Sequence, residues 1–534
     1  MKKSVLAISI LASFSVSAAE LTYRADVNAS YINIGSDTGA SEENASDTFS
    51  VQPSLGLNFQ SKRITSAVTA SHRYLDRHIS TTSEELRDSS SSNFTNYTAT
   101  ANINVIDNVL QLNARGSQSY QNVDIATTII NDEVFGSQQL AKTKRETLGA
   151  SFTLPNPDWF ALSVSGNTSS VTTDRAREGA VAVDSENHSV QASITQGDEV
   201  KRVSWNIQGS YREANGTGRN DITSERVNAN FYVGVADEIR LVATAQQDNN
   251  ELSSEDVAGT RNIDFESYGL GVSWFKNASR FIDVTYNTSK EADGSNDNFV
   301  GLNFAWRFTA RTSVSGSYGK RSFGRTGQFS FAHQVRKFRT SVSYQEDLTT
   351  FSTLLLGEEA QATFVCPLES EDLTGCFLPD TIDYQLQAGE RFEDFSFFLP
   401  EVSEEAILRK SLAITNGYQF RKIRISTTLR NTQTEFQDTL RKQDNLNLNV
   451  AVSAKLGRKS TVTWTNSYSN LDSRLLDGGS DKVLSWRSSL NYSYRIGRNL
   501  TTRVGLQYSK NNSAFENQDF YSRRLTLSIN YRIK

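Results

Sequence analysis

The chain has 534 residues, of which 55 are Lys or Arg and 60 are Asp or Glu, for a formal net charge of −5. This near balance excludes the strong basic surplus expected of a nucleic-acid-binding protein. Mean hydropathy is negative, and no run of roughly eighteen apolar residues occurs, which excludes a membrane-spanning helix. A β-strand that shows alternate residues to lipid stays compatible with this composition, because it averages out as weakly polar.

The first nineteen residues have the composition of an export signal. Lys2 and Lys3 give a positive start, residues 5–14 form a short apolar stretch, and residues 17–19 are small. This order is typical of a secretory signal peptide, which is removed from the mature chain. We predict cleavage after residue 19. The mature chain is then 20–534, and the loss of two lysines changes the net charge from −5 to −7.

The mature chain is a series of segments in which apolar and polar residues alternate. The first begins almost at once, with apolar side chains at Leu21, Tyr23, Ala25, Val27, Ala29 and Tyr31. The last three show the same period, as in Leu484, Trp486, Leu490, Tyr492 and Tyr494, then Leu500, Val504, Leu506 and Tyr508, then Leu525, Leu527, Ile529, Tyr531 and Ile533. Successive side chains of a strand point to opposite faces, so the pattern predicts strands with one apolar and one polar surface.

The connections between these segments alternate in length. Short turns are predicted at 60–63, 106–109, 155–158, 236–238, 308–311, 336–337, 457–459 and 497–499, and long polar links at 35–48, 75–92, 121–143, 171–187 and 247–264. Short turns on one side and long loops on the other are typical of bacterial outer-membrane barrels. The sequence therefore predicts an all-β fold, a transmembrane antiparallel up-and-down β-barrel of about 24 strands closed by pairing the first strand with the last.

The aromatic residues favour a membrane location. The six tryptophans fall in or beside predicted strands, at Trp159, Trp205, Trp274, Trp306, Trp464 and Trp486. Outer-membrane barrels carry aromatic girdles at both interfaces. The alternative is that these are core residues of a soluble β protein. We expect a location in the outer membrane of a Gram-negative bacterium, with short turns and both termini in the periplasm and the longer loops outside.

One connection, residues 345–403, is longer than the others. It contains both cysteines, Cys366 and Cys376, and the apolar clusters Leu354–Leu356 and Phe395–Leu399. Two cysteines in a secreted chain favour a local disulfide; a metal pair is the alternative, although the chain has only four histidines. Loops of this length are usually functional or disordered, so we expect either an external cap or a plug folded into the lumen.

Charge is sorted between the connections. Short turns are basic, as at Lys62-Arg63, Arg336-Lys337 and Arg458-Lys459, whereas long loops are acidic, as at Glu84-Glu85 and Glu358-Glu359. Acidic outer loops would bridge to lipopolysaccharide through divalent cations. The alternative is simple solvation of exposed loops.

The polar faces predict the character of the lumen. If the apolar faces contact lipid, the arginines that point inward are Arg24, Arg115, Arg240, Arg307, Arg339, Arg409, Arg424, Arg487, Arg495, Arg503, Arg524 and Arg532. Inward acids are fewer, Asp26 and Asp283 being the clearest, and the other inward residues are mostly Ser, Thr, Asn and Gln. Such a lumen favours anionic or hydroxyl-rich solutes. Alternatively, the arginines pair with carboxylates of the long loop and stiffen the wall.

No catalytic constellation is recognisable. The sequence lacks a G-x-S-x-G elbow, an H-E-x-x-H motif, a Walker loop and a Rossmann fingerprint. His72 and His333 lie in predicted strands, where a lone histidine is more often structural. We expect no enzyme activity and no cofactor.

The C-terminal strands resemble those of a known family. The hairpin Ser485–Tyr508, SWRSSLNYSYRIGRNLTTRVGLQY, and the strand Arg523–Arg532, RRLTLSINYR, resemble the PEP-CTERM system-associated outer-membrane β-barrels, which are related to exopolysaccharide-linked porins. The small loop between Cys366 and Cys376, followed by a strand near Glu405, suits the same family. The resemblance implies a role in surface polysaccharide secretion and supplies no site residues.

We therefore expect a barrel channel that supports export or passage of a surface polysaccharide. Its partners would be outer-membrane lipid and lipopolysaccharide, an anionic polysaccharide and periplasmic export proteins, without nucleic acid. The alternatives are a general diffusion porin, a structural sheath around an electron-transfer partner, and a surface receptor that works through its loops.

Overall fold

The computed structural model describes residues 20–36, 45–80, 89–122, 140–155, 157–174, 184–200, 202–216, 220–254, 261–291, 295–350, 365–367, 390–392, 406–437, 439–474, 480–513 and 519–533. Within these ranges, no helix is long and apolar enough to cross a membrane.

The described residues form strands almost throughout. In chain order they are β1 (Glu20–Ser36), β2 (Ala45–Gln60), β3 (Ile64–Ser80), β4 (Ser89–Ile106), β5 (Leu110–Asn122), β6 (Leu140–Thr153), β7 (Phe160–Thr173), β8 (Asp184–Gln196), β9 (Val203–Gly216), β10 (Asn220–Gly234), β11 (Ile239–Ser254), β12 (Arg261–Asn277), β13 (Arg280–Glu291), β14 (Asn296–Thr309), β15 (Thr312–Arg321), β16 (Gly324–Val335), β17 (Phe338–Thr350), β18 (Val365–Pro367), β19 (Glu390–Phe392), β20 (Ala406–Gln419), β21 (Ile423–Phe436), β22 (Lys442–Lys455), β23 (Ser460–Arg474), β24 (Ser480–Arg495), β25 (Leu500–Ser513) and β26 (Phe520–Ile533).

These strands form a closed antiparallel barrel of 24 strands, which confirms the predicted fold class. Each barrel strand pairs with the next along the chain, and β17 pairs with β20 because β18 and β19 form a separate two-stranded sheet. The barrel closes where β1 pairs with β26, from Tyr23 opposite Ile533 to Ser36 opposite Phe520. Closure leaves no unpaired edge, which is the condition for a sheet to exist in lipid.

The outward face of the barrel is mainly apolar in the middle of the strands and toward one rim. Large side chains such as Leu270 on β12, 73% exposed, and Leu525 and Leu527 on β26 remain open to the surroundings. Trp274 and Trp306 lie side by side on this face, with ring centroids 5.1 Å apart. So many large exposed apolar side chains are unusual on a soluble protein and match a barrel surrounded by lipid.

One rim of the barrel, which we call the turn end, carries short connections. They lie at residues 61–63, 107–109, 154–159, 197–202, 235–238, 278–279, 310–311, 336–337, 420–422, 456–459 and 496–499. Asn108 has a left-handed φ of 62° in one of these turns, a conformation that asparagine tolerates better than most residues. The short turns predicted from the sequence all lie at this rim.

The opposite rim, the loop end, differs from the prediction because the strands run further than expected. β3 continues to Ser80 and β4 begins at Ser89, so strand occupies most of the predicted link 75–92. Strands reach 18 residues in length, whereas a bilayer requires only about 9–11. Outward positions near the loop end are charged, as at Glu186 on β8 and Glu266 on β12. The apolar alternation therefore stops while the strands continue.

A small apolar cluster lies on the inner face of β1, β3 and β4 near the loop end. Ile32, Leu75 and Phe94 are buried there, with Ile34 and Tyr120 packed against them. Phe94 and Tyr120 meet edge to face, with centroids 4.8 Å apart. Other buried apolar side chains, such as Val242 and Phe265, also lie on this inner face, which is otherwise mostly polar.

Candidate functional site: the inner wall of the barrel

The inner face is defined by the strand register. Paired residues on neighbouring antiparallel strands share a face, so one inward residue fixes the others around the barrel. Arg24 lies opposite Gly56 on β2 and opposite Arg532 on β26, and the alternation remains consistent around the full circle. Many inward Ser, Thr and Asn side chains are buried, including Thr428 and Asn447. The wall is therefore a mainly polar surface to which all the barrel strands contribute.

The register places every arginine proposed from the sequence on this inner face. They are Arg24, Arg115, Arg240, Arg307, Arg339, Arg409, Arg424, Arg487, Arg495, Arg503, Arg524 and, by its Cα pairing, Arg532. Among the arginines whose side chains are described, several lie within four positions of the turn-end residue of their strand: Arg24, Arg240, Arg307, Arg339, Arg424, Arg495 and Arg503. We call these seven the turn-end arginine ring.

Sequence reasoning missed further inward arginines. They are Arg73, Arg77, Arg145, Arg212, Arg226, Arg321 and Arg430. Most lie in strand segments whose outward residues are also polar, as Lys144 and Glu146 are beside Arg145, so alternation alone gives no face. Inward acids at described positions are fewer: Asp26, Asp248, Asp283, Asp297 and Asp347. Positive charge therefore exceeds negative charge on the described wall.

One of these acids lies at the closing seam of the barrel. Asp26 on β1 forms an ion pair with Arg24, Oδ2 to Nε at 2.9 Å. The Asp26 side chain is 12% exposed and that of Arg24 is 20% exposed. Ser54 of β2 donates to Asp26 Oδ2 at 3.1 Å, and Asn530 of β26 donates to Oδ1. Asp26 thus joins three consecutive strands across the seam.

The wall from β10 to β16 curves sharply. Arg226 of β10 pairs with Asp248 of β11, Nε to Oδ1, at 2.8 Å, and Asp248 is 1% exposed. Asn250 of β11 donates to Ser322 Oγ at 3.0 Å, although Ser322 follows β15. A direct contact between elements separated by three intervening strands requires strong local curvature.

Inside this curve lies a cluster centred on Asp283 of β13, which is 3% exposed. Its Oδ2 accepts from Tyr232 Oη of β10 at 3.1 Å and from Asn303 Nδ2 of β14 at 3.4 Å. Its Oδ1 is buried and has no hydrogen-bond partner within the described ranges. The Arg240 guanidinium lies 4.4 Å from the Tyr232 ring centroid and 3.4 Å from that of Phe275.

A second polar cluster adjoins the first. Thr244 donates to Asn287 Oδ1, and Asn287 Nδ2 donates to Thr285 Oγ1, both at 2.8 Å. Glycines flank β13 on both sides: a Cβ on Gly301 would lie 2.5 Å from Thr285 Oγ1, and one on Gly269 would collide with Asn287. Because glycine has no Cβ at these two positions, Asn287 and Thr285 have room for their observed side-chain positions.

These clusters line a cavity of about 320 Å³, which we call the β9–β16 groove. Its polar lining includes Gln208, Asn228, Asn230, Thr244, Gln246, Ser267, Asp283, Asn287, Asn303 and Gln328, with Phe299 as an inward aromatic and with Lys320 and Arg321 toward the loop end. Of these, the sequence identified only Asp283 as an inward acid. Its partners come from strands far apart in the chain.

The histidines are on the outward face. His72, His188 and His333 each exchange a hydrogen bond through Nδ1 with a threonine of the neighbouring strand, at 2.8–2.9 Å. Among the residues that the structure describes, no group of three or more His, Cys, Asp or Glu side chains is placed to hold a metal.

Some predictions concern residues that the structure does not describe. The signal peptide and the Cys366–Cys376 disulfide lie outside the described residues, and so does most of the predicted cap or plug at 345–403, apart from the end of β17 at 345–350 and the β18 and β19 backbones. At the start of that predicted loop, β17 runs on to Thr350 and pairs with β20, with Asp347 opposite Arg409.

No family model matches the chain, and no curated protein matches it. Solved structures with similarity include a ferric enterobactin receptor, PfeA, from Pseudomonas aeruginosa, with 10% identity, 95% of this chain and 80% of that chain covered, and a TM-score of 0.42. The FrpB iron transporter from Neisseria meningitidis has 8% identity, coverage of 96% and 81%, and a TM-score of 0.46. OccAB4 from Acinetobacter baumannii has 14% identity, coverage of 96% and 98%, and a TM-score of 0.33. At these scores, no ligand carries over to this chain.

Proposed function

We propose that the protein is an outer-membrane channel that supports passage of a surface polysaccharide, with the inner wall as its conducting surface. The observation that carries this proposal is the surplus of arginine over acid on the inner face of a closed barrel. Guanidinium groups bind carboxylates in a bidentate manner and stay charged at all physiological pH values. An acidic polysaccharide would therefore find repeated weak sites along the wall.

The turn-end arginine ring is the part of the wall best suited to this role. Its members lie on β1, β11, β14, β17, β21, β24 and β25, so they follow the wall from β11 through the closing seam to β1, while β2 to β10 contribute none. A ring of like charges at a pore mouth concentrates ions of the opposite sign and rejects those of the same sign. We infer that the turn end is the mouth at which an anionic chain is first selected.

The outer surface supports placement in the outer membrane. The apolar band is bordered near the turn end by aromatics such as Trp274 and Trp306 and by basic turns such as Arg458-Lys459. Charged outward residues toward the loop end would then stand above the bilayer, where we propose that lipopolysaccharide contacts them. The turn end would face the periplasm and any export proteins there.

The test is the conductance of the refolded barrel in a planar bilayer under a KCl gradient. We expect an anion-selective reversal potential and block by polygalacturonate, an acidic polysaccharide, but not by neutral dextran of similar length. Replacing three ring members by Gln, at Arg339, Arg424 and Arg503, should move the reversal potential toward zero and weaken the block at least tenfold.

A matched variant neutralises three arginines of the short turns, Arg421, Arg458 and Arg498, which are off the inner face. It should leave selectivity and block almost unchanged. Selectivity without any polysaccharide block would indicate a general porin and overturn the polysaccharide proposal. A correctly folded barrel that does not conduct would overturn the channel proposal.

A further inference from the structure

We propose that the β9–β16 groove binds one neutral sugar unit, through hydroxyl groups that donate to Asp283. This inference rests on the proposed function, because it adds a binding site to the wall of the proposed saccharide channel. The site differs from the rest of the wall in charge, since it is centred on a carboxylate rather than on arginine.

The first step is the incomplete hydrogen bonding of Asp283. Its carboxylate is 3% exposed, and Oδ2 accepts two hydrogen bonds while Oδ1 accepts none from described residues. A buried carboxylate oxygen without a donor costs free energy, which a bound donor would recover. Oδ1 of Asp283 therefore requires a donor, which a sugar hydroxyl supplies.

The second step is the chemistry of the rest of the lining. Carboxamides of Gln208, Asn228, Asn230, Gln246 and Asn303 line the same cavity, and a carboxamide has two N–H donors and one acceptor oxygen. Gln246 and Asn303 each use one N–H within the wall, to Asp248 and Asp283. A ligand that satisfies them must carry many groups that both donate and accept, at close spacing. Sugar hydroxyls meet this requirement, whereas a sulfate or a phosphodiester offers acceptors only.

The third step is shape. A cavity of about 320 Å³ is at the lower end of the range for small-molecule sites, which suits a single sugar ring rather than a folded chain. Gly269 and Gly301 keep the floor flat, since a Cβ at either would displace Asn287 or Thr285. Phe299 contributes an apolar surface, supported by Phe265 with ring centroids 6.4 Å apart. An aromatic ring surrounded by polar side chains suits a sugar, which has an apolar C–H face and hydroxyl groups around its edge.

The charge around Asp283 argues against an anionic ligand. Arg240 is the cation nearest to this cluster, but its guanidinium stacks on Tyr232 and Phe275 and donates to Ser204 and Ser273. The other cations that line the groove, Lys320 and Arg321, lie toward its loop end, where Lys320 pairs with Asp297. An acidic sugar at Asp283 would therefore meet a carboxylate, with the nearest guanidinium already engaged. The arginine ring and the groove thus have different tasks, and only the groove recognises a neutral unit.

The experiment is saturation-transfer NMR and calorimetry on the refolded barrel, with neutral hexose and N-acetylhexosamine trisaccharides as probes and galacturonic acid trisaccharide as the acidic comparison. We expect millimolar or tighter binding of at least one neutral probe and weaker binding of the acidic one. Asp283→Asn should lower the affinity at least tenfold, and Gln208→Ala, at an exposed lining position, several-fold.

Asp347→Asn, which removes an inward acid outside the groove, is the matched control and should bind like the unmodified protein. Absence of neutral-probe binding to the folded barrel overturns this inference, whatever the conductance shows. Binding that Asp283→Asn and Gln208→Ala leave intact overturns it as well. Binding that follows these variants in a barrel that polygalacturonate does not block would uphold the groove while the conduit proposal fails.

Discussion

Replacing Leu270 by Arg tests which face of the barrel contacts lipid. Leu270 is 73% exposed on the outward face of β12, and it lies midway between Trp274 and Glu266 in the chain. At about 3.3 Å per residue and a strand tilt of roughly 40°, it is about 10 Å from each along the membrane normal, close to the centre of the apolar band. Arginine at that depth costs about 2–4 kcal/mol, or roughly a 30- to 1000-fold change in the unfolding equilibrium.

The assay is reversible urea unfolding in phospholipid vesicles, followed by tryptophan fluorescence, with heat-dependent gel mobility as a check on folding. The matched control is Leu456→Arg, since Leu456 is 60% exposed in a short connection at the turn end. There the charge reaches water, and the cost should be about 0–1 kcal/mol. Equal effects of the two substitutions, or none at Leu270, would refute the assignment of this face to lipid.

Asp26→Asn should lower the free energy of unfolding by about 1–3 kcal/mol, because it removes the ion pair from the half-buried Arg24 at the seam; an unchanged urea midpoint would contradict this. Phe94→Ala should cost about 3 kcal/mol by emptying the inner apolar cluster, and it should speed proteolysis at the loop end rather than at the turn end. Gly324 has a φ of 112° and follows the two-residue turn between β15 and β16. Gly324→Val should lower the free energy of unfolding by about 1–3 kcal/mol, and Gly324→Asn should lower it by less; equal losses would show that backbone strain is not the cause.

The strands near the C-terminus could be predicted from the sequence because one face of each is clearly apolar and the other clearly polar. In β26, Leu525, Leu527 and Ile529 alternate with Arg524, Thr526 and Ser528, so period and inward direction follow together. Near the loop end this signal disappears. β8 carries Glu186 and His188 on its outward face, and polar residues on both faces leave the strand end and its direction undetermined. The links were therefore predicted too long and several inward arginines were missed.

The groove could not be derived in the same way. Alternation predicts that Asp283 faces inward, but it does not predict that Tyr232, 51 residues earlier, donates to it. That contact depends on how sharply the wall bends, which depends in turn on close approaches at Gly269 and Gly301. A glycine in an alternating segment reads only as a weak strand former. Curvature is a collective property of many strands, and a single sequence window does not contain it.

The seam between β1 and β26 also constrains the order in which the barrel strands pair during folding. Asp26 and Asn530, which bond across it, are separated by 504 positions. Joining such distant segments costs little at equilibrium, because closure entropy grows only with the logarithm of the intervening length. The pairing is slow, however, because it joins the first and last strands of the barrel and so must wait for both ends, whereas every other pair joins successive barrel strands. Until the last strand is in place, the incomplete sheet has two unpaired edge strands. Barrel closure therefore competes with pairing of these edges to strands of other molecules.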